Sequence, residues 1–348
     1  RRGHHDRNQW AKFFRNDILR YTNLPIIKQS INLGLKNYDL PKIFYDTTPC
    51  PNRQKGGSRE AEKLLSTFLN SRGENYQYEM SSPISAEKSC SRLSTHLTYG
   101  TISHRSVFQE ATQKKEKIQL TNKNFAKSIN SFLSRLHWRS HFIQKLEDQP
   151  SIEHESFIPV YDQIREKDFR KLDAWIEGKT GVHFIDACMI YLRNHGWINF
   201  RMRAMLASFA SYNLWLDWRY FGPRLAALFT DFEPGIHYSQ LQMQSGTTGI
   251  NTIRMYNPYK QALDQDPEAK FIKSQLPEYN NFPPSFFFKP PELSNNENLF
   301  NDSKLETIVD VTKTAKFARD KIFSIRKLPE HQKMAKNVFI RHGSRQNR

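Results

Sequence analysis

Two short stretches hold residue types that could handle an anion. Ser91-Arg92-Leu93-Ser94 places two hydroxyls and a guanidinium where a short helix begins. The free N–H groups and the dipole of a helix start favour negative charge, and a cation in the same turn adds to that. Serines at such a position also act as ordinary caps. Gly178-Lys179-Thr180 imitates the end of a phosphate-binding loop but lacks the earlier glycine at the required spacing, so a helix-capping turn is expected there. No HExxH or GxSxG signature is present, and no constellation by itself announces hydrolysis or group transfer. Cys50, Cys90 and Cys188 lie far apart without a CxxC pair. That argues against a disulfide scaffold and against a metal site, and it fits a reducing compartment.

The 348 residues carry 52 Lys+Arg against 35 Asp+Glu, a formal charge of +17. A strongly basic chain usually has a polyanionic partner, because binding to phosphates releases condensed counterions; general solubility is the plainer reading. Residues 301–348 alone hold twelve Lys/Arg against five Asp/Glu, so part of the excess belongs to a tail. With 38% hydrophobic and 13% aromatic residues, wholesale disorder is excluded. No apolar run approaches the ~20 residues of a membrane helix, and no membrane partner is expected. The chain begins Arg1-Arg2-Gly3 without an initiator Met, which suggests a fragment of something longer.

The elements that would position these residues are helical. Residues 1–55 read as an amphipathic helix, Gln9 to Tyr21, followed by irregular chain punctuated by prolines. A helix opens at Ser58, carries Leu64, Leu65 and Phe68 on one face, and ends near Gly73. Residues 74–90 read as loop, followed by short helices from Ser91 and from near His104. From Phe125 the apolar positions Ile129, Phe132, Leu133, Leu136, Phe142, Ile143 and Leu146 keep the i, i+3, i+4 rule of a long helix. Another helix spans Phe184 to Asn194, and Met202, Leu206, Phe209 and Leu216 suggest a further long one. Residues 282–304, rich in Pro and Asn, read as a surface linker, and 305–348 as a basic helical extension. Alternating β patterns are scarce, so an all-α body is expected, with its main domain over 56–281.

Between Trp175 and Pro258 the residues follow an ordered pattern: Trp175-Ile176-Glu177-Gly178-Lys179-Thr180-Gly181, Ile185-Asp186-Ala187-Cys188-Met189, Gly196-Trp197, Arg201-Met202-Arg203, Ala207-Ser208-Phe209, Leu216-Asp217-Trp218-Arg219 and Tyr256-Asn257-Pro258. This set resembles the photolyase/cryptochrome flavoproteins. Upstream, Ser91-Arg92-Leu93-Ser94 with Gly100 and Ser103, and Leu136-His137-Trp138-Arg139, are similar to that family's Thr-Ser-x-Leu-Ser and Leu-x-Trp-Arg segments. Downstream, Pro277-Glu278 fits its Pro-Glu-Leu element, with Tyr279 in place of Leu. The resemblance covers about residues 55–280, the helical FAD-binding domain, without the family's N-terminal α/β antenna domain.

It implies FAD as cofactor and damaged DNA carrying pyrimidine dimers as partner. By resemblance Tyr78, Ser91, Arg92, Leu93, Ser94, Arg135, Arg139, Phe200, Arg203, Asp231, Glu233 and His237 surround the cofactor. Asp231-Phe232-Glu233 replaces the family's Asp-Gly-Asp, and Arg203 stands beside the isoalloxazine ring. Arg201 and Arg254 match positions facing the DNA backbone and lesion pocket, and Met243 and Gln261 are assigned to DNA binding with them. Trp138, which taken alone reads as a core aromatic, matches a Trp that stacks on the flipped dimer.

Several landmarks differ. The Glu that hydrogen-bonds the dimer is Arg135 here, the Asn of Gly-Trp-x-x-Asn-Arg is Phe200 with Asn199 one position away, and the Asp that partners the flavin-side Arg is Asn213. The Asn near flavin N5 is His237, either a group that titrates near neutral pH and gates the flavin or a hydrogen-bonded pocket residue. In the electron-transfer chain the flavin-proximal Trp is Leu241 and the outermost is Arg165, while the middle one remains as Trp218. The expectation is therefore a monomeric, cytoplasmic (in a bacterium nucleoid-associated, or else organellar) DNA photolyase-like enzyme, with Trp138, Trp218 and His237 as its catalytic group. The alternative is a cryptochrome-like photoreceptor that binds FAD without repair. A third reading is a helical nucleic-acid-binding protein without flavin.

Overall fold

The computed structural model describes residues 7–20, 49–290 and 307–343. Among them the only β pairing is a single parallel bridge between Glu166 and Leu216, and everything else regular is helical. Helix α1 (Arg7–Leu19) is followed by α2 (Ser58–Thr67), α3 (Tyr76–Glu79), α4 (Pro83–Ser89), α5 (Ser94–Thr98), α6 (His104–Ile118) and α7 (Lys123–Asp148). The second half holds α8 (Phe169–Glu177), α9 (His183–His195), α10 (Phe200–Ser208), α11 (Trp218–Ala226), α12 (Pro234–Ser245), α13 (Pro258–Gln265), α14 (Lys270–Gln275), α15 (Val311–Arg326) and α16 (Pro329–His342).

Apolar periodicity explains the two main cores. The inward face of α7, from Phe125 through Ile129, Phe132, Leu133 and Leu136, packs with Leu65, Phe68, Tyr76 and Val107 of α2, α3 and α6 and the wide turn after α2. Asn122 starts α7 by accepting the Phe125 amide at 3.0 Å. A larger core gathers α8 to α14 around Trp175, Phe184, Met205, Phe209, Trp218 and Phe221. At the capping turn, Gly178 takes a left-handed φ of 71°, and the Asp186 carboxylate accepts the Thr180 and Gly181 amides at 2.8 and 2.9 Å. It is a structural cap, as the missing glycine implied.

Several boundaries depart from the periodicity. Residues 74–90 are not a loop but carry α3 and α4, too short to show a period; Pro83 sets the first turn of α4. The helix from Phe200 does not reach Leu216: it widens into a π turn, Phe209–Asn213, and the chain leaves it before Trp215, whose φ is 56°. Residues 282–290 are no surface linker. Pro284–Phe288 forms a 3-10 turn with Phe287 2% exposed, and Phe282, Phe286 and Phe288 pack against the core; residues 291–304 fall largely outside the described residues. The basic extension docks: Ala318 and Ile322 of α15 join Tyr161, Tyr212 and Trp215 in a third cluster, and Asn213 donates to the Val311 carbonyl at 3.1 Å. Helix α1 leans on α6 through Phe14 against Phe108 and an Arg105–Asp17 pair at 2.7 Å, and on α7 through Trp10 against His137. The rest of the 1–55 expectation, residues 21–48, lies outside the described residues.

Candidate functional site: a nest of paired charges

Four segments converge: α5, the loop after α11, the start of α10 and the middle of α7. Helix α5 is pinned to the loop by Thr95 Oγ1 and Thr230 Oγ1 at 3.2 Å and by Thr98 Oγ1, which donates to the Asp231 carbonyl at 3.5 Å. Arg139 of α7 bridges the same two segments, donating from Nη2 to the Leu97 carbonyl at 3.2 Å and to Glu233 at 3.3 Å. Arg203 of α10 completes the ring: Nε donates to the Ile198 carbonyl and Nη2 to Asp231, each at 2.8 Å. Its guanidinium also lies 4.1 Å from the centre of the Phe229 ring. The carboxylate of Asp231 thus replaces Asn213, which is spent on α15, as partner of Arg203. Two glycines make the convergence possible. A Cβ on Gly196, φ 63°, would meet Thr230 at 2.4 Å, and one on Gly235 would meet the Ile143 backbone at 2.6 Å, so α12 rides directly on α7.

That approach brings His237 into the nest. Its Nε2 donates to the Gly222 carbonyl at 3.0 Å, leaving Nδ1 as acceptor, and the rings of Phe229, Phe232 and Tyr238 surround it. Burial, aided by the Arg203 charge and opposed by that hydrogen bond and by Asp231, pushes its pKa down to about 4. Burial and that hydrogen bond favour the neutral imidazole, which supports the pocket-residue reading over the neutral-pH switch.

The residues present fit a large anionic cofactor with hydrogen-bonding groups. Ser94 Oγ and Asp231 Oδ1 are buried side-chain atoms with no partner within the protein, one hydroxyl for a phosphate and one carboxylate oxygen for a donor. The expectation of a helix opening at Ser91 is corrected in detail. Helix α5 starts at Ser94 and is five residues long, so its dipole is weak, and Ser91 Oγ instead accepts the Leu93 amide at 3.4 Å. Leu93 is buried as the cap. Arg92 adopts φ 62°, held by Gln54 donating to its carbonyl at 3.1 Å, and stacks 3.7 Å over Trp197 with one Nη unpartnered. Sequence reasoning missed Arg72. Its guanidinium gathers the carbonyls of Lys88 and Cys90 at 2.7 Å each and so shapes the run into the serine pair. Nothing local marks it, because its partners are 16 and 18 residues away.

On α7, next to Arg139 in sequence, Trp138 is 40% exposed, which removes the core reading, and Arg135 lies 4.3 Å over its ring. Phe200 and Tyr78 are exposed at 48% and 63%. Arg201 is half-buried, its Nε unpartnered, and donates to Gln261 Oε1 at 3.4 Å; Gln261 is itself buried and steadies that arginine. Arg254 is exposed on the loop before α13, its carbonyl accepting from Ser208, and Met243 is half-buried on α12. Trp218 is buried, bonded to Ser156 Oγ at 3.0 Å and edge-on to Tyr238 at 6.2 Å, so an aromatic contact leads from it to the His237 ring. Among the described residues no group of three or more His, Cys, Asp or Glu is placed to hold a metal, and no helix is long and apolar enough to cross a membrane.

Comparison with known proteins gives this geometry a context. Residues 132–324 match the FAD binding domain of DNA photolyase. The deoxyribodipyrimidine photo-lyase of Halobacterium salinarum is 30% identical over 269 residues, 72% of this chain and 55% of that protein. An archaeal photolyase from Sulfolobus tokodaii, solved with two FAD molecules, superposes with a TM-score of 0.63 at 30% identity, over 78% of this chain and 57% of the other. A Synechocystis cryptochrome superposes at 0.72 and 21% identity, over 83% and 61%, a likeness of fold. The chain spans about half the length of the relatives it matches.

Proposed function

Because this chain belongs to the family of the FAD-binding domain of DNA photolyase, we propose that it is a light-driven DNA repair flavoenzyme that splits pyrimidine dimers, acting as a monomer on cellular DNA. The observation that carries the reading is Trp138, a large aromatic 40% exposed on α7 in the position just before Arg139, which pairs with Glu233. An exposed aromatic ring can stack an extruded base of any sequence.

Ser94, Arg92 and Arg139 would hold the phosphate and ribityl side of FAD, and Arg203, Asp231, Glu233 and His237 its ring. When bound, reduced FAD supplies a light-driven electron that opens the cyclobutane ring of the dimer and then returns. The chain's own residues provide the setting. Arg203 sets a positive charge beside the ring site while Asp231 keeps that charge balanced, and neutral His237 offers Nδ1 as an acceptor without adding a second cation. Trp138 and Arg135 form the wall on the DNA side, and Arg201 and Arg254 supply cations to the phosphates flanking the lesion. That chemistry needs no general acid–base pair.

The test is blue-light illumination of photoreduced protein with an oligonucleotide bearing a thymine dimer. Restoration of intact thymines supports the reading. Unrepaired dimers from flavin-loaded protein overturn it, and light-dependent binding of a protein partner without dimer splitting selects the photoreceptor instead.

A further inference from the structure

On the side of the molecule built by α15, the loop that follows α12 encloses a cleft of about 460 Å³ that the nest does not use. One wall is the loop, with Gly249, Asn251 and Ile253; the other is α15, with Arg319, Phe323 and Arg326. These three are spaced four and three residues apart, so they share one helix face, aromatic in the middle and guanidinium on either side. Phe323 and Arg319 are exposed. Arg326 is half-buried, donates to the Asn251 carbonyl at 2.7 Å and keeps a buried Nε without an acceptor. The amide groups of residues 250–253 also find no acceptor among the described residues, and no carboxylate lines the cleft.

Two cations, a row of free donors and no acid select an anion, while a flat exposed ring between the cations selects a planar partner. The volume lies within the ~300–1,000 Å³ of small-molecule sites. We propose that this cleft is a second binding site, for a nucleoside phosphate, with the base on Phe323 and the phosphate between Arg319, Arg326 and the loop amides. A free nucleotide and a nucleotide within a single strand present the same chemistry. The site shares no residue with the flavin nest and stands whether or not the protein repairs dimers.

The experiment is done in the dark on the full chain with three probes: thymidine monophosphate, a short undamaged oligothymidylate and inorganic phosphate. Binding is measured for wild type, Phe323→Ala and Arg319→Glu, both surface changes whose melting temperature and flavin content are recorded alongside. The nucleotide is expected to bind more tightly than inorganic phosphate. Phe323→Ala should lose about tenfold for the two thymidine probes and little for phosphate, and Arg319→Glu about tenfold or more for all three. An oligothymidylate bound much more tightly than the mononucleotide identifies a strand as the source; equal affinities identify a free nucleotide. The proposal falls if wild type binds none of the probes at millimolar concentration, if phosphate matches the nucleotide, or if both variants bind like wild type.

Discussion

Arg203 and Arg165 are both arginines held inside the helical body, and their surroundings are opposite. Arg203 meets the Asp231 carboxylate at 2.8 Å and keeps a quarter of its side chain accessible, at 26%. Arg165 is buried among the rings of Tyr212 and Trp215, 5.7 and 5.0 Å from their centres. It donates to the carbonyls of Ser211 and Ser245 at 3.1 and 2.6 Å, and its Nη1 has no partner. Burial lowers its pKa, opposed mainly by Tyr212 and Asp217. In the nest, charge is balanced and a polar atom is left over for a guest. At Arg165 a cation is held by two backbone carbonyls and two aromatic rings, and a positive charge beside Trp215 opposes that ring losing an electron. One region leaves a carboxylate oxygen open beside a paired charge; the other packs an unpaired cation between aromatic rings.

The contrast breaks first under acid. His237 in the nest, His104 beside Arg139 and His183 among Tyr279, Phe286 and Phe287 all have pKa values pushed down to about 4 by burial. A histidine depressed on folding contributes stability that is intact above its unfolded pKa near 6.5 and lost as pH falls through 4. Melting temperature should therefore fall between about pH 6.5 and 4, each such histidine being worth on the order of 3 kcal/mol, and His237→Asn should remove part of the fall. An unchanged profile in that variant would show that His237 is not held neutral by the nest. Next in size, Asp231→Ala leaves Arg203 without its carboxylate. The expected loss is about 2–3 kcal/mol, less than a fully buried pair would give, together with most of the bound flavin, read from denaturant unfolding and the flavin-to-protein absorbance ratio. Arg165→Met should cost only about 1–2 kcal/mol, from two carbonyls left without donors, and should leave flavin content alone. Smallest in stability is Trp138→Ala, within about 0.5 kcal/mol for an exposed site, yet damaged-DNA binding should drop about tenfold in a gel-shift titration. Loss of flavin in that variant would move Trp138 from the DNA wall into the cofactor site.

How much of this was legible depended on range. Helix α7 showed in the sequence because its apolar stripe runs for more than six turns, and the turn at Gly178 showed because glycine and a nearby carboxylate act locally. Helices α3 and α4 did not, since four and seven residues are too short to display a period. The segment after Pro283 misled because its prolines speak for exposure while Phe282, Phe286 and Phe287 bury a ring cluster that only the folded chain assembles. In the site, Trp138, Arg203 and Asp231 were assigned through an ordered motif pattern. Arg72 and the Arg139–Glu233 bridge were not assigned those partners, because they join residues up to 94 positions apart. The neutral state of His237 needed the surrounding rings, which no spacing reveals.

The absorbance spectrum of purified protein, taken side by side for wild type, Asp231→Ala and Arg165→Met, bears most directly on the nest as the FAD site. The expected result is flavin absorbance in the blue for wild type and Arg165→Met and its near absence in Asp231→Ala. Colourless wild type that takes up no added FAD, or an Asp231→Ala protein that stays folded and fully yellow, would contradict it.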